Sequence, residues 1–171
     1  MQDGWLSQAK QIISPNFDAR PAGEFPSLLV IHHISLPPQV YTGEGIIQLF
    51  TNQLDPTAHP YYASIAHLRV SAHFLIRRDG ELIQFVSCID RAWHAGASSW
   101  QDRERCNDFS IGIELEGSDF DAFTSAQYTV LQQLSLTLLA CYPIRSLAGH
   151  SDISPNRKTD PGVFFDWQRY Q

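Results

Sequence analysis

The run Leu28-Leu29-Val30-Ile31 constrains this chain more than any other stretch. Side chains alternate across a strand, so four apolar residues in a row leave neither face polar. Such a strand needs cover on both faces, the situation of a largely parallel sheet between helical layers. Pro26 before the run and Pro37-Pro38 after it confine the strand to about residues 27–35, because proline cannot donate to a sheet ladder. The strand therefore delivers His32 and His33 at its carboxyl end.

Other stretches fill in the layers. Ala72 to Arg78, Asp79-Gly80 and Glu81 to Val86 read as a β-hairpin, with Asp-Gly suited to a type I′ turn. Phe109 to Gly117 reads as a strand with Ile111, Ile113 and Leu115 on one face and Glu114 and Glu116 on the other. Gly43 to Leu54 has the apolar spacing of a helix, closed by Asp55-Pro56. Thr124 and Gln127 form a capping-box pattern ahead of a long helix to about Cys141, with Leu131, Leu134 and Leu138 as its buried stripe. Ile144 to Ala148 reads as a last strand that hands the chain to His150.

Trp5, Leu6, Ala9, Ile12 and Ile13 recur at helical spacing, which predicts a short amphipathic start before the prolines at 15, 21 and 26. Residues 57–69 and 91–108 read as long polar, aromatic loops, and Phe164 to Trp167 as a tail packed back on the core. The fold class is α/β: one domain over residues 1–171, a mixed central sheet flanked by helices.

Composition narrows the function. With 43% hydrophobic and 18% charged residues the chain belongs with globular rather than disordered proteins. A net charge of −6 and the lack of a basic run argue against binding nucleic acid through its phosphates. The N-terminal residues carry an early acid and no apolar core, so no export signal is expected, and no apolar stretch approaches the roughly 20 residues of a membrane span. Cys88, Cys106 and Cys141 lack metal or disulfide spacing and read as free thiols in a reducing cytoplasm.

The chemistry-bearing residues lie at strand ends and in the last third. His32, His150 and Asp160 would make a three-ligand zinc set that leaves a fourth position for water, the pattern of catalytic zinc. Pro161 restricts Asp160 to extended backbone, which suits a preset ligand. Seven histidines permit other sets, including His67 with His73 or His94. Glu114 is either a solvated carboxylate on an exposed strand face or, if it faces the metal, a general base. Lys158 is either a surface lysine or a group that stabilises an oxyanion.

Six segments carry a resemblance: Ser27 to His32, Ala66 to His73, Leu75 to Gly80, Arg91 to Gly96, Arg103 to Gly117 and Arg157 to Gly162. Together they resemble the cytoplasmic 1,6-anhydro-N-acetylmuramyl-L-alanine amidases, zinc amidases that share their fold with peptidoglycan-recognition proteins, and the likeness spans about Gly4 to Trp167. It implies a monomer that uses one zinc ion to cleave anhydromuramic acid from L-alanine during cell-wall recycling. The implied partner is a small anhydromuramyl-peptide, without nucleic acid or membrane.

Carried over by position, the likeness makes His32, His150 and Asp160 the zinc ligands, Glu114 the base and Lys158 the group that steadies developing negative charge. It places His33, Tyr61, Arg69, Ala92, Trp93 and Arg105 at the substrate. Arginines fit a peptide whose carboxylates accept paired hydrogen bonds. His33 stands where the family pattern has asparagine, which predicts a retained substrate hydrogen bond with added pH dependence. The readings from other classes are a muropeptide-binding module that does not cleave and a hydrolase of intact peptidoglycan.

Overall fold

Six strands build the central sheet of the computed structural model, which describes residues 1–170. In chain order the strands are β1 (Lys10–Gln11), β2 (Phe17–Ala19), β3 (Leu28–Ile34), β4 (Phe74–Ile76), β5 (Leu82–Gln84), β6 (Asp90–Ala92), β7 (Ser99–Trp100), β8 (Arg103–Glu104), β9 (Ser110–Glu116) and β10 (Ser146–Gly149). The helices are α1 (Gly45–Phe50), α2 (Pro60–Ile65), α3 (Ser125–Cys141), α4 (His150–Ile153) and α5 (Trp167–Tyr170). The sheet order is β1-β5-β4-β9-β3-β10; β10, β3, β9 and β4 run parallel, and β5 turns back antiparallel to β4. β2 pairs with β6 and β7 with β8 in two small ribbons.

The unbroken apolar run behaves as its composition requires. Leu28, Leu29, Val30 and Ile31 are all buried in the middle of the sheet. Leu29 and Ile31 pack with Ile111, Ile113 and Leu115 beneath the Leu131, Leu134 and Leu138 stripe of α3. On the opposite face, Leu28 and Val30 meet Ala95, Cys106, Phe109 and Ile153, and Leu75, Ile83 and Phe85 pack under α1. Each such side chain contributes about 1.5–3 kcal/mol by leaving water. α3 starts at the expected cap: the Gln127 amide donates to Thr124 Oγ1 at 3.1 Å and the Thr124 amide to Gln127 Oε1 at 3.0 Å. The tail also packs back, through Phe165 and Tyr170.

Four local expectations are corrected. The N-terminal stretch forms no helix. Gln84 anchors it in a series of turns instead, accepting from the Leu6 amide at 2.8 Å and donating to the Gly4 carbonyl at 2.8 Å, so Leu6 and Ala9 reach the core from an irregular segment. The hairpin turn is not type I′, which needs two positive φ angles; only Gly80 has one, and Arg77 pairs with Glu81 across a three-residue loop. The stretch 57–69 contains α2, capped by His59, whose Nδ1 accepts from the Tyr61 amide at 3.1 Å. The stretch 91–108 contains three short strands and a 3-10 turn over Cys106–Asp108. Among the described residues all three cysteines are free thiols, with Cys88 and Cys106 buried.

Candidate metal centre and cleft

Sheet register assembles the site. His32 on β3 is the Cα partner of Glu114 on β9, and Glu114 is in turn the partner of Leu75 on β4. β10 ends at Gly149 opposite Ile31, so the next residue, His150, emerges beside His32. Asp160 returns on the following loop, where the Ser151 amide donates to its carbonyl at 2.9 Å. All of this happens at the carboxyl ends of parallel strands, where α/β folds usually hold ligands.

Three donor atoms converge there. His32 Nδ1 and His150 Nδ1 lie 2.9 Å apart, and Asp160 Oδ2 is 3.1 Å from the first and 3.0 Å from the second. All three residues are buried. His150 Nε2 lies 3.1 Å from the Ala95 carbonyl, which can only accept, so that nitrogen carries the proton and Nδ1 turns its lone pair inward. Arg157 Nη2 approaches the same nitrogen at 3.4 Å, but both are donors, and Nη2 has acceptors instead in the Ala95 and Ala97 carbonyls, each at 2.8 Å, and Ser154 Oγ at 2.7 Å. A triangle of two imidazole nitrogens and a carboxylate oxygen is a donor set that suits zinc and leaves one coordination position open.

Electrostatics separates the two carboxylates. Burial pushes Asp160 up, but the close approach of the His150 and His32 imidazoles outweighs it and holds the carboxyl well below the usual range. Burial raises Glu114 well above its ordinary value, the Asp160 charge adds to this, and Lys158 opposes it. Glu114 Oε2 is buried with no hydrogen-bond partner among the described residues. Its reading as a solvated carboxylate is therefore corrected: Glu114 is buried at the floor of a cleft, on a central strand of the sheet. Burial also lowers His32 to about 4, so its imidazole is neutral at pH 7.

A cleft of about 410 Å³ opens over the cluster and includes His33, Tyr61, Trp93, His94, Glu114, Asp119 and Lys158 in its walls. His33 Nε2 bonds Asp119 Oδ1 at 3.0 Å, and Asp119 Oδ2 accepts from Thr159 Oγ1 at 2.7 Å, tying the end of β3 to the Asp160 loop. Tyr61 stands exposed at the rim. Trp93 is held edge-on by Asp18, which accepts from its Nε1 at 3.1 Å and is itself gripped by Arg91. Arg69 lies beside this cleft, in a hollow it shares with Trp93, His94 and Lys158.

Two residues sit elsewhere. Ala92 is fully buried where β6 pairs with β2, so its side chain adds nothing to the cleft wall. Arg105 occupies a separate hollow with Ser98 and Arg157, its backbone left-handed at φ 61°. The alternative histidine set does not form: His67 is exposed outside the cluster, and His73 is bonded to the Gly112 amide. Asp18, Asp119 and Asn107 carry site geometry that no local pattern in the sequence announces. Trp93-His94-Ala95-Gly96 is legible in the sequence as a motif, which assigns its histidine no role beyond that of an alternative ligand.

A family profile described as N-acetylmuramoyl-L-alanine amidase matches residues 22–163. The chain is 57% identical, over 100% of its length and 94% of the relative's, to the 1,6-anhydro-N-acetylmuramyl-L-alanine amidase AmpD of Escherichia coli K12. It superposes on a crystal structure of an AmpD selenomethionine derivative with TM-score 0.98 and 58% identity, covering 99% of this chain and 96% of that one. It matches Pseudomonas aeruginosa AmpDh3, crystallised with an anhydromuramic pentapeptide, at TM-score 0.62 and 30% identity over 88% of this chain and 60% of that one. The likeness in fold extends to honeybee PGRP-SA, 15% identical with TM-score 0.62 over 94% of this chain and 93% of that one.

Proposed function

The chain belongs to the N-acetylmuramoyl-L-alanine amidase family, and on that premise we propose that it is a zinc-dependent hydrolase of the amide between 1,6-anhydro-N-acetylmuramic acid and L-alanine, serving peptidoglycan recycling in the cytoplasm. The observation that carries the reading is the buried, unpartnered Glu114 carboxylate set in register with His32 beside the three-atom donor cluster. A carboxylate that lines the cleft and has an oxygen free of protein donors is poised to take a proton from water or substrate. The substrate is drawn from the name of the 57% identical relative and from the pentapeptide bound by AmpDh3.

His32, His150 and Asp160 hold the zinc in this reading. When bound, zinc supplies a Lewis acid that activates water and polarises the scissile carbonyl. Glu114 accepts the water proton and returns it to the departing L-alanine nitrogen, so that the amine leaves neutral. Lys158, at the cleft wall, offsets the negative charge that develops on the carbonyl oxygen. Trp93 and Tyr61 form apolar walls for the sugar and peptide, and Arg69 faces the peptide carboxylates. The whole domain, residues 1–171, acts as a monomer.

The experiment is product analysis by mass spectrometry on purified protein and anhydromuramyl-tripeptide, with and without a zinc chelator. Chelator-sensitive release of free tripeptide and anhydro-sugar is the expected result. Binding of the muropeptide by zinc-loaded protein without any cleavage would replace the enzyme by a recognition module.

A further inference from the structure

We infer that the His94-Ala95 dipeptide, hung from the carboxamide of Asn107, is a single support that presets both imidazoles of the cluster, with His94 and Asn107 as positioning residues. The inference rests on the zinc reading above and adds to it the groups that fix which nitrogen of each ligand faces the metal.

The proton positions on the His32 side follow by elimination from a carbonyl. The Cys106 carbonyl can only accept, so Ser110 Oγ donates to it at 2.5 Å. With its hydrogen used, Ser110 Oγ must accept from His94 Nε2 at 3.1 Å. A neutral imidazole carries one proton, so with Nε2 donating to Ser110 the His94 Nδ1 is left as a bare lone pair. That lone pair accepts from His32 Nε2 at 2.9 Å. His32 Nδ1 is then the unprotonated nitrogen, and it is the one facing His150 and Asp160. A chain of three hydrogen bonds thus turns a fixed backbone carbonyl into the tautomer of a ligand.

The adjacent residue does the same for the other imidazole, since the Ala95 carbonyl accepts from His150 Nε2 at 3.1 Å. One acceptor positions the pair: Asn107 Oδ1 receives the His94 amide at 3.1 Å and the Ala95 amide at 2.8 Å. Room for the His94 ring comes from Gly112 on β9, where a Cβ would lie 2.4 Å from the ring. The sequence therefore spends a histidine, a glycine, a serine and an asparagine on one piece of geometry, none of them ligands.

The test measures zinc affinity by chelator competition on the full chain, together with the visible spectrum of the cobalt(II)-substituted protein. Wild type is compared with His94→Leu, His94→Gln, Asn107→Ala and Asn107→Asp. Glutamine at 94 still offers an oxygen to His32, and aspartate at 107 still accepts both amides. The disruptive variants are expected to weaken zinc about 10–100-fold and to shift the cobalt bands, with most of the loss restored in the conservative ones. His94→Leu with wild-type affinity and spectrum would overturn the inference, as would equal losses in conservative and disruptive variants. If His94→Leu does not fold, the Asn107 pair decides alone. A wild type that takes up no zinc defeats the metal reading itself, and this support with it.

Discussion

His32 and Glu114 are Cα partners on neighbouring parallel strands, so an imidazole of the donor cluster and the unpartnered carboxylate rise side by side from one sheet face. Their separation in the chain is 82 positions, and only the pairing of β3 with β9 brings them together. This adjacency allows the proposed metal binding and the proposed proton transfer to be separated by mutation.

Asp160→Ala is expected to lose bound zinc and activity together, because it removes the anionic ligand. Glu114→Gln is expected to keep one equivalent of zinc while kcat falls by about 10²–10⁴. Metal analysis beside steady-state kinetics checks both. Near-normal turnover of Glu114→Gln would take this carboxylate out of the mechanism.

Asp18 anchors Trp93 from outside the cleft. Asp18→Ala is expected to raise KM about tenfold, with kcat within about twofold, since it loosens a binding wall without touching the proposed catalytic groups. A matching fall in kcat would show that Trp93 does more than bind.

His73 gives a pH prediction. Burial lowers its pKa from 6.5 to about 3, with Arg20 adding to the effect. Below pH 6.5 the unfolded chain binds a proton at this histidine that the folded chain refuses, so its contribution to stability is present above 6.5 and is lost as pH falls toward 3. The loss has a limiting slope of about 1.4 kcal/mol per pH unit. Urea denaturation between pH 7 and 4 on wild type and His73→Gln should show a shallower decline in the variant, and parallel curves would contradict the assignment.

Thr124→Ala removes the cap of α3 and a bond of 2.7 Å to the Arg78 carbonyl. A loss of about 1 kcal/mol is expected, or about 2–4 °C in Tm for a domain of this size. Calorimetry would show it, and an unchanged Tm would mean that the capping box is redundant with packing.

The sequence by itself determined what local physics can specify. Leu28 to Ile31 had to be a doubly covered strand, Thr124 and Gln127 had to start a helix, and Ile111, Ile113 and Leu115 had to share a face. Each depends on side chains a few residues apart, and each appears as β3, α3 and β9. The grouping of His32, His150 and Asp160 was one of several that the residues allowed, and the resemblance singled it out. Tertiary structure decided the rest. Helical spacing from Trp5 to Ile13 lost to distant partners: the Gln84 side chain takes the Leu6 amide and the Gly4 carbonyl, and Lys10–Gln11 pair with β5. Glu114 stands beside His32 only because β3 pairs with β9, and His94 meets His32 only because Gly112 makes room. Burial and hydrogen-bond partners are properties of residues far apart in the chain, so no local window carries them.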